Sequence, residues 1–317
     1  MEILKIAHLK GHQGSVFKLT QAKEGKSILS GAGDGWIVEW DIDNPDTGKL
    51  LAKVDSNIYS LLFLPNIHAV IVGNMNGGIH FVDIEQPQNN KNIAHHQKGV
   101  FDIQYFNNQI YTLGGDGIVT RWSLSPFQSI ESLQISTKSL RCMDYSQFRN
   151  EIAIGASDGN IYFLDTQLNL KNVIKQAHKN SIFSIKYSAD SRHLLTGGRD
   201  ALLKIWHFNE NAREISENPV LLTEIEAHNF TINDIKFNPQ YPSVFATASR
   251  DKTIKIWHLN FQLGDAKLLK VINTVKNGGH INSVNSIVWI SEDVLASASD
   301  DRSIILWKLI FEGNENI

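Results

Sequence analysis

The chain has 317 residues, of which 42% are hydrophobic, and its formal net charge is −3 at pH 7. This weakly acidic balance provides no general attraction to nucleic acid or to an anionic lipid surface, so neither is expected as a direct partner. The single cysteine, Cys142, excludes an internal disulfide and predicts a reducing, intracellular and cytoplasmic location.

One seven-residue pattern occurs seven times, beginning with Asp in six copies and with Asn76 in the other. In chain order the copies are DGWIVEW (34–40), NGGIHFV (76–82), DGIVTRW (116–122), DGNIYFL (158–164), DALLKIW (200–206), DKTIKIW (251–257) and DRSIILW (301–307). They end at Trp40, Val82, Trp122, Leu164, Trp206, Trp257 and Trp307, and they begin 42, 40, 42, 42, 51 and 50 residues apart. A period of about 40–45 residues is typical of one propeller blade per repeat.

The fifth repeat shows the internal organisation of such a blade. SIFSIKY (181–187), HLLTGG (193–198), ALLKIW (201–206) and PVLLTEIEA (219–227) are short apolar runs separated by polar turns. Short runs rich in β-branched and aromatic residues, bounded by turn residues, indicate antiparallel strands. The sequence therefore predicts an all-β fold, a seven-bladed β-propeller with four antiparallel strands in each blade.

The two ends of the chain supply the last strand. After Trp307 and Lys308 only LIFEGNENI remains, which is too short for a fourth strand and its loop. Residues 2–9 precede Gly11-His12, where every other repeat places its fourth strand. We expect them to complete the seventh blade, because closure removes the exposed edges of the sheet. Residues 1–311 are then a single propeller, and 312–317 are a short C-terminal tail.

Several dipeptides point to a known family. Gly11-His12, Gly279-His280, the Ala-His pairs at 177–178 and 227–228, and Trp40-Asp41 resemble the WD-repeat β-propeller family, and the resemblance covers essentially the whole chain. It implies a buried hydrogen-bonded set of His, Ser or Thr, Asp and Trp in each complete blade, where the indole and imidazole need partners. The sets are His12, Ser30, Asp34 and Trp40; His96, Thr112, Asp116 and Trp122; His178, Thr196, Asp200 and Trp206; His228, Thr247, Asp251 and Trp257; and His280, Ser297, Asp301 and Trp307.

Blades two and four lack this set. The matching positions are Val54, Val72, Asn76 and Val82 in blade two, and Ser136, Ile154, Asp158 and Leu164 in blade four. The hydroxyl, His and Trp are lost together, and replacing all partners of a polar network by apolar groups can be nearly neutral. We therefore expect both blades to be stable.

The resemblance also implies that the loops around the axial channel gather on one face, which usually holds the partner. Five residues after the His position come Phe17, Tyr59, Phe101, Arg141, Phe183, Asn233 and Asn285, and just before the Asp position come Gly33, Met75, Gly115, Ser157, Arg199, Arg250 and Asp300. Aromatic residues, Met and Arg are enriched at the centres of interfaces. The predicted partner-binding residues are Phe17, Tyr59, Met75, Phe101, Arg141, Phe183, Arg199 and Arg250; the alternative is that some rings pack inward as core.

The two longest intervals indicate two loop extensions. The extra residues are placed at 209–219 and 260–267, between the third and fourth strands of blades five and six. This position is on the face opposite the aromatic residues. Such extensions are either solvated or form a second contact surface.

The recurrence of Ser or Thr, His and Asp at one spacing argues against catalysis, because an enzyme needs one exposed nucleophile and not five buried copies. Metal ligands at a diagnostic spacing are also missing from the sequence. We therefore expect no enzyme activity, cofactor or metal, and a monomeric scaffold or assembly subunit that binds a protein or peptide. The alternatives are a reader of a short acidic or phosphorylated peptide through Arg141, Arg199 and Arg250, and an enzyme with its site at the channel mouth.

Overall fold

The computed structural model describes residues 1–22, 25–209 and 219–311, which form seven four-stranded antiparallel sheets. The first strands, in chain order, are β1 (Glu2–Lys10); β2 (Val16–Gln21), β3 (Ser27–Ala32), β4 (Trp36–Asp41) and β5 (Gly48–Lys53) of blade one; β6 (Ile58–Leu64), β7 (Ala69–Asn74), β8 (Gly78–Asp83) and β9 (Lys91–Ala94) of blade two; and β10 (Val100–Phe106), β11 (Gln109–Gly114), β12 (Ile118–Ser123) and β13 (Gln128–Gln134) of blade three.

The later blades follow the same order. They comprise β14 (Leu140–Ser146), β15 (Glu151–Ala156), β16 (Ile161–Leu164) and β17 (Leu170–Ile174) of blade four; β18 (Ile182–Tyr187), β19 (His193–Gly198), β20 (Leu202–His207) and β21 (Val220–Glu226) of blade five; β22 (Ile232–Phe237), β23 (Val244–Ser249), β24 (Ile254–Asn260) and β25 (Asp265–Ile272) of blade six; and β26 (Val284–Trp289), β27 (Val294–Ser299) and β28 (Ser303–Ile310) of blade seven.

The N-terminal strand closes the ring. β1 pairs antiparallel with β28, from Glu2 opposite Ile310 to Lys10 opposite Ser303, and is the outermost strand of blade seven. The side chain of Leu9 on this strand is buried in the core. The prediction of a seven-bladed propeller closed by residues 2–9 is therefore confirmed.

The blades are held together by apolar contacts between neighbours. The first strand of each blade contacts the first strands of the two adjacent blades, and these seven strands surround the axis. The hydrophobic clusters lie between blades: Leu29 of blade one packs with Leu61 of blade two, for example, and Leu195 of blade five packs with Phe245 of blade six. Because no blade buries its faces alone, the ring is the cooperative unit.

The loop extensions differ from the prediction. In blade six the hairpin is longer, with Asn260 paired to Asp265, so only a short turn remains of the predicted loop at 260–267. Other extra residues form a one-turn helix, α1 (Thr274–Asn277), which ends at Gly278 in the left-handed conformation before Gly279-His280. Periodicity could not locate this insertion, because it preserves the strand pattern on both sides. Residues 210–218 and 312–317, which contain most of the other predicted extension and the predicted tail, lie outside the described residues.

The remaining helical structure is confined to short connections. Single-turn 3-10 helices occur at Pro65–Ile67 and Pro87–Asn89 in blade two. Within the described ranges, no helix is long and apolar enough to cross a membrane.

Candidate interaction surface at the channel mouth

The five predicted hydrogen-bonded sets hold the loops around the channel mouth in place. In blade one, Trp40 Nε1 lies 2.8 Å and His12 Nε2 2.7 Å from Ser30 Oγ, and His12 Nδ1 lies 3.0 Å from Asp34 Oδ2. A single proton arrangement satisfies all three contacts: the indole donates to the hydroxyl, the hydroxyl donates to Nε2, and Nδ1–H donates to the carboxylate. Asp34 also accepts the backbone N–H groups of Gln13 and Trp36, which ties the loop before β2 to the turn between β3 and β4.

The other four sets repeat this geometry. The imidazole Nε2 lies 2.7–2.9 Å and the indole Nε1 lies 2.8–3.0 Å from the Ser or Thr hydroxyl in every case. All five hydroxyls are completely buried, so none of them is exposed to a substrate. The sets therefore have a structural role, and they position the loops of the channel mouth.

Burial and hydrogen bonding lower the pKa of several imidazoles and carboxylates in these sets. Burial lowers the pKa of His12, His96 and His228, although the paired carboxylates oppose this effect. Burial disfavours the ionised form of Asp251, but hydrogen bonds from His228, Thr253 and Asn229 outweigh it and lower the pKa of Asp251. The stable form is therefore a neutral imidazole beside an ionised carboxylate.

Blade two corrects the expectation of an apolar replacement. Asn74 Oδ1 accepts the backbone N–H groups of Asn76 and Gly78, at 3.0 and 2.8 Å, as the Asp does in a complete set. Asn74 Nδ2 lies 2.9 Å from His80 Nε2, and His80 Nδ1 lies 2.7 Å from Asn92 Oδ1. The side chain of Asn76, which alignment placed at the Asp position, is exposed. A polar network is thus rebuilt from three other positions of the repeat, those of Asn74, His80 and Asn92.

Blade four also keeps polar contacts at this place. Asp158 Oδ2 accepts hydrogen bonds from Ser136 Oγ and Tyr162 Oη, both at 2.7 Å. Asp158 Oδ1 accepts the backbone N–H of Asn160. Ser136, at the His position, and Tyr162 together supply the contact to the carboxylate that the missing His would make, while Ile154 and Leu164 are fully buried, as an apolar replacement requires.

The seven residues predicted five positions after the His line a single cavity of about 210 Å³ at the channel mouth. Five of them form a continuous chain of contacts. Phe17 meets Tyr59 edge to face at 5.3 Å, Tyr59 stacks on Phe101 at 5.5 Å, and the Arg141 guanidinium lies 4.0 Å from the Phe101 ring and 5.3 Å from the Phe183 ring. We call Phe17, Tyr59, Phe101, Arg141 and Phe183 the collar. All five are partly exposed, so they are not core.

The residues just before the Asp position form an outer layer rather than part of the cavity. Ser157 Oγ accepts a 2.8 Å hydrogen bond from Arg141 Nε, and a Cβ on Gly115 would lie only 2.9 Å from the Phe101 ring. Met75, Arg199 and Arg250 are exposed and do not belong to the cavity lining. The predicted partner-binding residues therefore lie in two layers, one that lines the cavity and one outside it.

The remaining two positions of the ring are polar and have fixed partners. Asn233 Nδ2 donates to Ser283 Oγ and to the carbonyl of Val284, at 3.0 and 2.8 Å. Asn285 Nδ2 donates to Asp300 Oδ1 and to the carbonyl of Val16. The mouth is thus lined by aromatic rings in blades one, two, three and five, by Arg141 in blade four, and by amides in blades six and seven.

A charged layer below the collar was missed by sequence reasoning. Lys18, Lys186 and Lys236 line the same cavity, together with Asp102 and Asp234. Both carboxylates also join adjacent blades. Asp102 Oδ2 accepts the backbone N–H of Met143, and Asp234 Oδ2 accepts that of Ile287. The only signal in the sequence is a charged residue within an otherwise apolar first strand, which could equally lie at a solvated end.

The described residues also bear on metal binding. The described residues contain no group of three or more His, Cys, Asp or Glu side chains that could hold a metal ion. Cys142 is buried in the first strand of blade four, and burial raises the pKa of its thiol. A thiol in that state is a poor nucleophile.

Four segments match the family model "WD domain, G-beta repeat": residues 4–41, 170–207, 219–258 and 269–308. Each segment contains one complete His, hydroxyl, Asp and Trp set, from blade one, five, six or seven. The chain belongs to the WD-repeat β-propeller family. Blades two and three of this WD-repeat propeller lie outside the matched segments, as does blade four except for β17.

Relatives of this WD-repeat propeller are distant. The chain is 24% identical to the WD repeat-containing protein 91 homolog of Dictyostelium discoideum over 94% of the chain and 39% of that protein. It is 25% identical to the protein transport protein SEC13-2 of Candida glabrata over 63% of the chain and 73% of that protein. The chain thus spans well under half of the first of these relatives.

A solved structure supports the fold independently. The crystal structure of the WD40 β-propeller domain of Doa1 superposes with a TM-score of 0.80, covering 96% of this WD-repeat propeller and 97% of that domain. The sequence identity is 17%, so this likeness concerns the fold alone.

Proposed function

We propose that this WD-repeat propeller is a non-catalytic scaffold, a subunit of a larger assembly that binds a protein or peptide partner at the channel mouth. The observation that carries the proposal is the collar, a continuous and partly exposed chain of four aromatic rings and one guanidinium around a cavity. Aromatic residues and arginine provide most of the binding energy at interface centres.

The geometry of the collar favours binding because the side chains are already ordered. Each ring packs on its neighbour, and Arg141 is held between Phe101 and Phe183 with its Nε bonded to Ser157. Ordering a flexible side chain at an interface costs about 0.5–1.5 kcal/mol, and this cost is largely avoided here. A segment with an apolar anchor would therefore bind to a surface that is already formed.

The same proposal includes the oligomeric state and the location of the protein. We infer a monomeric propeller made of residues 1–311 that acts inside the cell, with no direct contact to nucleic acid or membrane. The SEC13-2 relative is named as a protein transport protein, which is consistent with work in an assembly. A second candidate is a reader of acidic or phosphorylated peptides, favoured by the exposure of Arg199 and Arg250 on adjacent blades.

The double variant Tyr59→Ala with Phe101→Ala is expected to abolish capture of the native partner. The protein should remain folded, because aromatic pairs contribute only about 0.5–1.5 kcal/mol each and both rings are partly exposed. The measurement is affinity purification of the tagged protein from its cells of origin with quantitative mass spectrometry, alongside a thermal melt.

A matched control removes the same two residue types from the opposite face. Tyr105 is 37% exposed at the end of β10, and Phe148 is 82% exposed in the turn between β14 and β15. Tyr105→Ala with Phe148→Ala should leave capture intact. Loss of capture in this control and not in the collar variant would move the binding site to the opposite face.

A further inference from the structure

The cavity lining, with the collar included, contains more positive than negative charge. Four cations line the cavity, Arg141 in the collar and Lys18, Lys186 and Lys236 below it, against the two carboxylates Asp102 and Asp234. Asp144, just outside the lining, is in direct contact with the Lys186 ammonium. Counting this third carboxylate, the collar and the channel together carry one excess positive charge, that of Arg141, while the three lysines below the collar balance the three carboxylates.

The carboxylates of this layer are already engaged by the protein. Asp102 accepts the backbone N–H groups of Ile103 and Met143, at 3.1 and 2.9 Å. Asp234 accepts the N–H groups of Ile235 and Ile287, at 3.0 and 3.1 Å. Because these carboxylates hold the first strands in place, they are not available to receive a cationic ligand without breaking contacts between blades.

Two of the lysine ammonium groups have N–H donors without a close acceptor in the described part of the chain. The Lys18 ammonium lies 3.6 Å from Asp102 Oδ1, and the Lys236 ammonium lies 3.8 Å from Asp234 Oδ1. Both distances exceed a normal hydrogen bond, and neither ammonium makes another hydrogen bond within the described part of the chain. Burial lowers the pKa of Lys236, which the charge of Asp234 only partly offsets. A closer anion would stabilise the charged ammonium and oppose this lowering.

We propose that the channel below the collar binds an acidic side chain, Asp or Glu, that the partner segment inserts past the aromatic rings. Its carboxylate accepts hydrogen bonds from Lys18 and Lys236, and the collar packs around the carbon atoms that precede it. This inference rests on the proposed function and specifies the partner: a segment with an apolar or aromatic residue beside one essential acid. Charge-assisted hydrogen bonds of this kind are the stronger class.

The test uses a displayed library of random linear peptides selected against the full chain, with the unmodified protein, three lysine variants and the Tyr59→Ala, Phe101→Ala double variant. Peptides selected on the unmodified protein should share an Asp or Glu at one position. Changing that residue to Asn or Gln in a synthetic peptide should weaken binding about tenfold or more, since a charged hydrogen bond contributes about 1.5–3 kcal/mol. Lys18→Met and Lys236→Met should weaken the acidic peptide similarly and leave its amide version unaffected. Lys138→Met controls for general electrostatics, because Lys138 is exposed and does not belong to the cavity lining.

The outcomes separate this inference from the function on which it rests. Peptides that need Tyr59 and Phe101 but show no acidic preference would overturn the inference and leave the proposed function standing. Peptides that bind equally well to the Tyr59→Ala, Phe101→Ala variant would contradict both, as would a selection that yields no peptides. If a methionine variant fails to fold, the acidic preference on the unmodified protein and the acid-to-amide change still decide the question.

Discussion

Deletion of residues 1–9 is expected to cause aggregation or a large loss of melting temperature. These residues form most of β1, which pairs with β28 along the whole length of blade seven. Without them β28 becomes an exposed edge, and such edges pair with other chains. Burial of Leu9 alone contributes about 1.5–3 kcal/mol, a large part of the 5–15 kcal/mol that stabilises a typical protein. Differential scanning fluorimetry and size-exclusion chromatography measure the two effects.

Two point variants in the same strand provide the control. Leu9 is 2% exposed, whereas Leu4 is 41% exposed on the outer side of the strand. Leu9→Asp should destabilise strongly and Leu4→Asp only weakly. A synthetic peptide of residues 1–10 should raise the melting temperature of the truncated protein. A truncated protein that stays monomeric with an unchanged melt would show that the ring does not depend on β1.

Asp251→Ala and Asp200→Ala are each expected to lower the free energy of unfolding by about 1–3 kcal/mol. Asp251 accepts hydrogen bonds from His228 Nδ1 at 2.9 Å and from the backbone N–H of Asn229 at 3.0 Å. Alanine leaves the buried His228 imidazole with only the Thr253 hydroxyl, 3.2 Å away, as an acceptor. Chemical denaturation followed by tryptophan fluorescence measures the change, because the indole of each set lies in the affected network.

The control for this pair lies in blade two. Asn76→Ala should cost clearly less, because the Asn76 side chain is exposed, while Asn74→Ala should cost more than Asn76→Ala, since Asn74 Oδ1 accepts two backbone N–H groups. Equal losses at Asp200, Asp251 and Asn76 would contradict the structural role of the sets.

The dependence of the free energy of unfolding on acid pH tests the same hydrogen-bonded sets in a second way. The pKa of His12, His96 and His228 is lowered from 6.5, so the unfolded chain binds protons that the folded chain does not as the pH falls through that value. The free energy of unfolding should therefore decrease below about pH 6.5. It should fall further below about pH 4, because the pKa of Asp251 is also lowered in the folded state.

The fold could be predicted because its signal is repeated. Seven copies of one pattern, at nearly constant spacing, leave one architecture, and the strand that closes the ring follows from counting. The altered networks could not be predicted by position. Asn74 and His80 of blade two take over the contacts of the Asp and the His from other positions in the repeat. In blade four, Tyr162 of the third strand adds a second donor to Asp158 beside Ser136. Hydrogen-bond geometry identifies such replacements, whereas alignment by position does not.

The candidate site, like the fold, could be predicted from the sequence only in part. Counting five residues from each His position predicted seven residues that line one cavity, because the first strands share one register around the axis. The position just before the Asp supplied Met75, Arg199 and Arg250, which lie outside the cavity lining. Neither count predicted Lys18 and Lys236, since a charged residue in a first strand carries no sign of whether it points into a channel or into solvent.

The most direct test of the central proposal is site-specific photo-crosslinking in the cells of origin. A benzophenone amino acid is placed at Met75, 44% exposed next to the collar and outside its stack, and separately at Phe148 on the opposite face. The account predicts a partner adduct from position 75 and none from position 148, with the adduct lost when Tyr59→Ala and Phe101→Ala are added. Adducts from position 148 alone would contradict binding at the channel mouth.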